Sequence, residues 1–444
     1  MKFLSYFKLP KTLIYLSALA SVASFNLSAE APKLTSEQIK QKVANYNYIL
    51  GTQAIGGHYQ FSKDNLLVEQ AKQIKGLGFN LLKISIGRGT AKKYGFERKA
   101  NRAQSVLELV ETVPAYQKIF DMNFKYYQAW VHSLTDANWH NGVSKEEAKV
   151  YYQEMYELAE YLLTRYSGTG KVFMLGNWEG DWLLQGIGNR NAVPNNSAIN
   201  GMTDWLNVRQ QAIDDAKKNI KHTDVELYHY VEVNLAKKAM KGEASVAHSV
   251  LPNTDVDLVS YSSYEAIKDS KEPSIDSIRK PLTNIMNYLE KQLKPKAGLP
   301  FNRRVFIGEY GYHANKKKPE LVKHQFLKSK YVAQVAVELD LPFALIWQMY
   351  NNEYHPNGES KEMSLIDESG EKRLLYYLHK VFYQNMKYFV SQSYKRTGQA
   401  PSDEAFKAKA IKVLENLSME KVSAAKKKIE KLQNEKRQKA KNKP

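Results

Sequence analysis

The sequence predicts an α/β protein built as one (β/α)8 TIM barrel, followed by a basic helical or disordered C-terminal tail. Three observations point there. Eight short runs rich in β-branched and aromatic residues alternate with stretches of helical character, the pattern of a parallel sheet with crossover helices. Residues 30–391 have the length that one such barrel occupies. The rival, an open doubly wound sheet, usually carries a Gly-rich phosphate turn after its first strand, and "GTQAIGGHYQF" lacks that spacing before a helix.

The predicted strands follow in order. "YILGTQ" (48–53) is the first, and "NLLKISI" (80–86) the second, preceded by the amphipathic "LLVEQAKQIK" (66–75). "KYYQAWV" (125–131) is the third. The fourth, "KVFML" (171–175), follows a long helical stretch, "KEEAKVYYQEMYELAEYLLTRY" (145–166). "ELYHYVEV" (226–233), "DLVSY" (257–261), "RVFI" (304–307) and "FALIW" (343–347) complete the eight. No short-period repeat interrupts them.

Residues 1–29 have the layout of a secretory signal: Lys2, Lys8 and Lys11, an uncharged stretch over 12–25, then small residues before Ala23 or Ala29. The uncharged stretch falls short of the roughly 20 residues that span a bilayer. The expectation is an exported protein, periplasmic or extracellular, with no membrane span after signal removal. There is no cysteine, so disulfides do not stabilise it and a lipid-modified cysteine is excluded. Formal net charge is +19, and the tail (392–444) holds much of it. Residues 401–444 contain thirteen Lys and Arg against six Asp and Glu, which reads as a solvated appendage or a contact for an anionic surface.

In a barrel, functional groups gather at the carboxyl ends of the strands. The fourth strand runs into "GNWEGDW", delivering Glu179, with Asp181 as its local competitor; the seventh runs into "GEYGYH", delivering Glu309. Two carboxylates across one cleft suit glycosidic cleavage: one protonates the leaving oxygen while the other attacks the anomeric carbon or activates water. Other strand ends offer Trp130 and His132, Glu232 and Asn234, Tyr261 and Tyr264, and Trp347.

A glutamate ending strand four, another ending strand seven and a tryptophan ending strand eight resemble the retaining glycoside hydrolases of clan A, over about residues 48–351. The resemblance implies that Glu179 is the general acid/base and Glu309 the nucleophile, with carboxyl groups about 5 to 5.5 Å apart. It also implies that a tyrosine after strand six, Tyr261 or Tyr264, donates to the nucleophile. Two places depart from the clan pattern. Trp178 stands directly before Glu179, where members commonly carry Asn, and Asn177 is one step further back. Lys83 occupies a place that many members give to Arg, and an ammonium is a point charge without the planar fork. Trp130, Trp178, Trp182 and Trp347 are candidate platforms for the apolar faces of sugars, and His132, Asn177 and Asn234 candidate polar contacts.

No cofactor is expected. The histidines show no i, i+4 zinc spacing, and no G-x-S-x-G nucleophile turn occurs. No nucleic-acid motif accompanies the positive charge. Arg88, Lys92, Lys93, Arg98, Lys99 and Arg102 after strand two, with His313, Lys316, Lys317 and Lys318 after strand seven, are expected to flank the cleft. That charge favours an anionic polysaccharide, sulfated or uronic, over a neutral β-glycan. The alternative function is a barrel that binds a glycan or an anionic surface without cleaving it.

Overall fold

In the computed structural model, which describes residues 34–186, 188–267 and 272–441, eight parallel strands close into a barrel in sequential order. They are β1 (Leu50–Gln53), β2 (Leu81–Ile86), β3 (Tyr126–Val131), β4 (Lys171–Gly176), β5 (Val225–Val233), β6 (Leu258–Ser262), β7 (Val305–Tyr310) and β8 (Ala344–Ile346). Each coincides with a predicted strand, with ends that differ by up to three residues. β8 pairs back to β1 through Leu50 with Ala344 and Thr52 with Ile346. The segment predicted as a signal lies outside the described residues.

Side chains alternate along each strand between two cores. One set faces outward under the helices, for example Ile84, Leu175, Val231 and Ile307. The other fills the barrel, with Leu81, Met174, Tyr230, Phe306 and Leu345 among its members. At the amino-terminal end, rings close the floor: Tyr228 on Phe301 at 5.2 Å and Phe306 on Phe343 at 5.7 Å between centroids. Gly176 ends β4 against Tyr230, and a Cβ there would lie 2.5 Å from that ring.

Local signals set the helix ends. Ser144 and Glu147 form a capping box ahead of helix Lys145–Arg165. Asn195 accepts from the Ala198 N–H at 2.7 Å and starts helix Asn196–Asn219. From that helix, buried Arg209 donates to the carbonyls of Val131 and Gly176 at 3.3 and 3.4 Å, tying together the carboxyl ends of β3 and β4.

The tail is helical, one of its two expected forms, but more of it is packed than a solvated appendage would be. Helix Leu374–Thr397 runs through the boundary predicted at 391, and two more helices follow, Asp403–Asn416 and Met419–Lys441. Phe406, Ala410 and Leu414 are buried, so the first of these helices is part of the packed body. Among the described residues no helix is long and apolar enough to cross a membrane.

Filling the space above Gly176 should strain the barrel. Gly176→Ala is expected to lower stability by about 1–3 kcal/mol, the usual cost of overpacking. Urea unfolding checks this: an unchanged midpoint would mean that Tyr230 does not occupy that space.

Candidate active site

β4 releases the chain after Gly176, and Asn177, Trp178 and Glu179 bridge to the short helix Gly180–Gln185. On the far side of the barrel, β7 reaches Glu309 through an irregularity. β6 pairs Tyr261 with Ile307 but Ser262 with Glu309, leaving Gly308 as an extra residue on β7. Strict alternation after Phe306 would turn Glu309 outward toward the helices. The bulge turns it inward. Only glycine fits at 308, since an added Cβ would stand 1.7 Å from Ser260 Oγ.

Beneath both glutamates lies a buried ionic cluster. Lys83 on β2 is fully buried, with Nζ 2.8 Å from Glu232 Oε2 and 3.3 Å from Glu309 Oε1. It also donates to Gly308 O at 3.3 Å and lies 4.2 Å from the centre of the Trp130 ring. Glu232 on β5 is itself fully buried. Its Oε2 also accepts from Ser260 Oγ at 2.7 Å, and its Oε1 accepts from Trp130 Nε1 at 3.1 Å and the Glu179 N–H at 3.2 Å. Tyr264 donates to Glu309 Oε2 at 2.9 Å.

The carboxyl groups of Glu179 and Glu309 sit in different fields. Burial pushes Glu179 up to about 7, and the negative charge of Glu232 adds to the rise, with Lys83 opposing. Burial also pushes Glu309 up, as do Glu232 and Glu179, while Lys83 and the Tyr264 hydroxyl pull it back. Only Glu309 of the two receives both an ammonium and a phenol within hydrogen-bond reach. The ionised form is therefore the better served at Glu309.

Glu179 and Glu309 line one cavity of about 540 Å³. Around it stand Trp130, Trp178, Trp182 and Trp347, the polar groups Asn234, Ser262, Tyr264 and His313, and the charged Arg190, Glu265 and Glu353. Arg190 pairs with Glu265 at 3.4 Å and lies over the Trp182 ring at 5.9 Å. Asn234 accepts from the Asp181 N–H through Oδ1, while its Nδ2 has no partner among the described residues. The peptide bond from Trp347 to Gln348 is cis.

Not every residue singled out from sequence reaches this cavity. Asp181 is buried, and its carboxylate accepts from the N–H groups of Asn234, Leu235 and Val246 at 2.8 to 2.9 Å, so it holds two loops together. Asn177 is buried outside the lining and donates to Trp178 O, with its Oδ1 unpartnered among the described residues. Of the two tyrosines, Tyr264 meets Glu309, whereas Tyr261 faces outward and donates to Glu265 at 3.4 Å. His132 is solvent-exposed beyond β3 and does not line the cavity. Lys83 touches Glu309 from below.

The basic loops also behave differently from expectation. Arg88 donates to the carbonyls of Leu134 and Ala103, and Lys92, Lys93, Arg98, Lys99 and Arg102 are exposed, mostly on short helices (Arg88–Lys93 and Glu97–Arg102). Neither they nor Lys316, Lys317 and Lys318 line the cavity. Three groups there were given no role in the sequence reading: Arg190, Glu265 and Glu353. Glu232, offered from sequence only as a supporting group at the end of strand five, lies beneath the cavity as the partner of Lys83. Among the described residues no cluster of three or more His, Cys, Asp or Glu side chains is arranged to hold a metal ion.

No family model matches the chain, and no curated protein matches it. Among solved structures it is similar to a family 39 glycoside hydrolase from the gut symbiont Bacteroides cellulosilyticus, at 11% identity over 76% of this chain and 64% of that one, TM-score 0.45. It is also similar to a glycoside hydrolase 5 lichenase from Caldicellulosiruptor, at 13% identity over 78% and 94% of the two chains, TM-score 0.46. A third is β-glucuronidase 2 of Bacteroides uniformis, at 9% identity over 77% and 35%, TM-score 0.45. The chain thus spans less than two thirds of the first and about a third of the last. Likenesses this distant carry no argument about chemistry.

Proposed function

We propose that this protein is an exported retaining glycoside hydrolase of the clan A kind. The observation that carries the reading is one cavity lined by the glutamates that follow β4 and end β7, Glu179 and Glu309, of which Glu309 is the one held by an ammonium and a phenol. In the first step the Glu309 carboxylate attacks the anomeric carbon. Glu179 gives its proton to the glycosidic oxygen as that bond breaks, leaving a glycosyl ester on Glu309. Glu179, now ionised, takes a proton from water as the water attacks the same carbon, releasing the sugar with its configuration retained and restoring both carboxyl groups. The tryptophans supply faces on which sugar rings stack. Asn234 Nδ2 is free to donate to a hydroxyl.

The charges lining the cavity bear on the substrate. Arg190 and His313 are met there by Glu265 and Glu353, and the lysine-rich loops stay outside. That balance supports a neutral polysaccharide or oligosaccharide over a sulfated or uronic one. The amino-terminal layout supports export to the periplasm or beyond. A barrel that only binds glycans has no use for a buried ammonium between carboxylates, an arrangement whose desolvation offsets much of its own attraction.

Release of reducing ends from neutral, uronic and sulfated polysaccharides tests the assignment. Wild type is expected to cleave a neutral glycan, Glu309→Gln to lose turnover, and Glu179→Gln to lose roughly 10²–10⁴-fold, the usual worth of a general acid. Cleavage that survives both substitutions would overturn it. The pH profile follows from the sign of the shift: Glu179 must be protonated, and its pKa is raised to about 7, so kcat/KM should fall as pH rises through about 7. A basic limb that stays in place in a profile of Glu179→Gln rescued by an activated leaving group would exclude Glu179 as its source.

A further inference from the structure

We propose that Glu232 is a positioning residue of this reaction, fixing Lys83 beneath Glu309 and the backbone of Glu179 opposite, so that Glu179 keeps the proton it gives to the leaving group. The proposal rests on the hydrolase reading and deepens it.

The geometry is that of a hub. Glu232 is fully buried, and its two oxygens accept four hydrogen bonds from four different parts of the barrel: Lys83 on β2, Trp130 on β3, Ser260 on β6 and the Glu179 N–H after β4. Lys83 stands closer to Glu232, at 2.8 Å, than to Glu309, at 3.3 Å. The ammonium is thus chiefly neutralised from below. What reaches Glu309 is the remainder of its field, enough to favour the anion without binding it as a closed pair that could not attack carbon. The bond to the Glu179 N–H fixes the start of the helix that carries the acid, so one carboxylate sets the placement of both reacting groups.

The electrostatic consequence follows from counting charge. Facing Glu179 are Lys83 from β2, Glu232 from β5, Glu309 from β7 and Tyr264 from beyond β6, with Arg190, Glu265, His313 and Glu353 lining the same cavity. Without Glu232 the cluster gains one positive unit. Glu179 would then give up its proton at lower pH, and less of it would be acid at neutrality.

The test uses the full chain and two readouts. Infrared titration of the carboxylic acid band, assigned by its loss in Glu179→Gln, gives the Glu179 midpoint without any substrate, and kcat and KM against pH give its effect on turnover. Glu232→Gln is expected to lower the midpoint and the basic limb together by roughly one pH unit or more, with kcat falling more than KM changes. An unshifted midpoint would overturn the proposal, and so would lost activity with an unshifted midpoint, because a merely structural role predicts that. If Glu232→Gln does not fold, Ser260→Ala removes one donor from Glu232 and keeps its charge. It should lower kcat severalfold at constant KM and move the midpoint, and unchanged values for both would overturn the proposal. Wild type without turnover on any glycan, but with a midpoint that Glu232→Gln lowers, would sink the hydrolase reading and leave the charge role of Glu232 standing.

Discussion

A lysine ammonium fully removed from water is the constraint on which the rest of this site depends. Lys83 lies on β2 inside the barrel, where an unpaired charge is costly. Glu232 and Glu309 pair with it, at 2.8 and 3.3 Å. Removing one partner of such a buried set typically costs about 3–5 kcal/mol, which ties β2, β5 and β7 to one another energetically as well as by backbone pairing. The middle of the barrel is polar as a result, with Gln53 and Ser260 also pointing inward and bonded there.

Backbone irregularity then decides which carboxylate reaches the cavity. At β7 the extra Gly308 swings Glu309 over Lys83, and Lys83 and Gln53 both donate to the Gly308 carbonyl, at 3.3 and 3.2 Å, holding the bulge. At β4 the strand stops at Gly176, and Asp181 anchors the following turn by accepting three backbone N–H groups. Glu179 is left between two fixed points with no cation of its own. The division of labour between the glutamates is therefore a consequence of where the chain is pinned.

Much of this was legible in the sequence. Parallel strands buried on both faces read as near-continuous apolar runs, and so all eight appeared, as did the glutamates that end β4 and β7. The bulge was not legible, because a glycine within a strand only hints at one; simple alternation would have turned Glu309 away. The choice between Tyr261 and Tyr264 stayed open for the same reason: Tyr261 is the outward member of β6, and Tyr264 reaches Glu309 only through the turn beyond the strand. The lysine-rich loops misled, since charge counts ignore that Arg88 is spent on carbonyls and that the lysines point to solvent. Composition also hid the tail's packing, although Phe406, Ala410 and Leu414 form a helical stripe within it. Arg190 enters the cavity by a loop path that no local pattern encodes.

The account stands or falls on Glu309 being the group that bonds to sugar carbon. The direct measurement is covalent trapping with a panel of fluorinated glycosyl fluorides, followed by intact mass and peptide mapping of the labelled protein. The account predicts one glycosyl adduct per chain on the peptide that carries Glu309, absent in Glu309→Gln. An adduct on Glu179 or Glu232, or cleavage of the matching glycoside with inverted configuration, would contradict it.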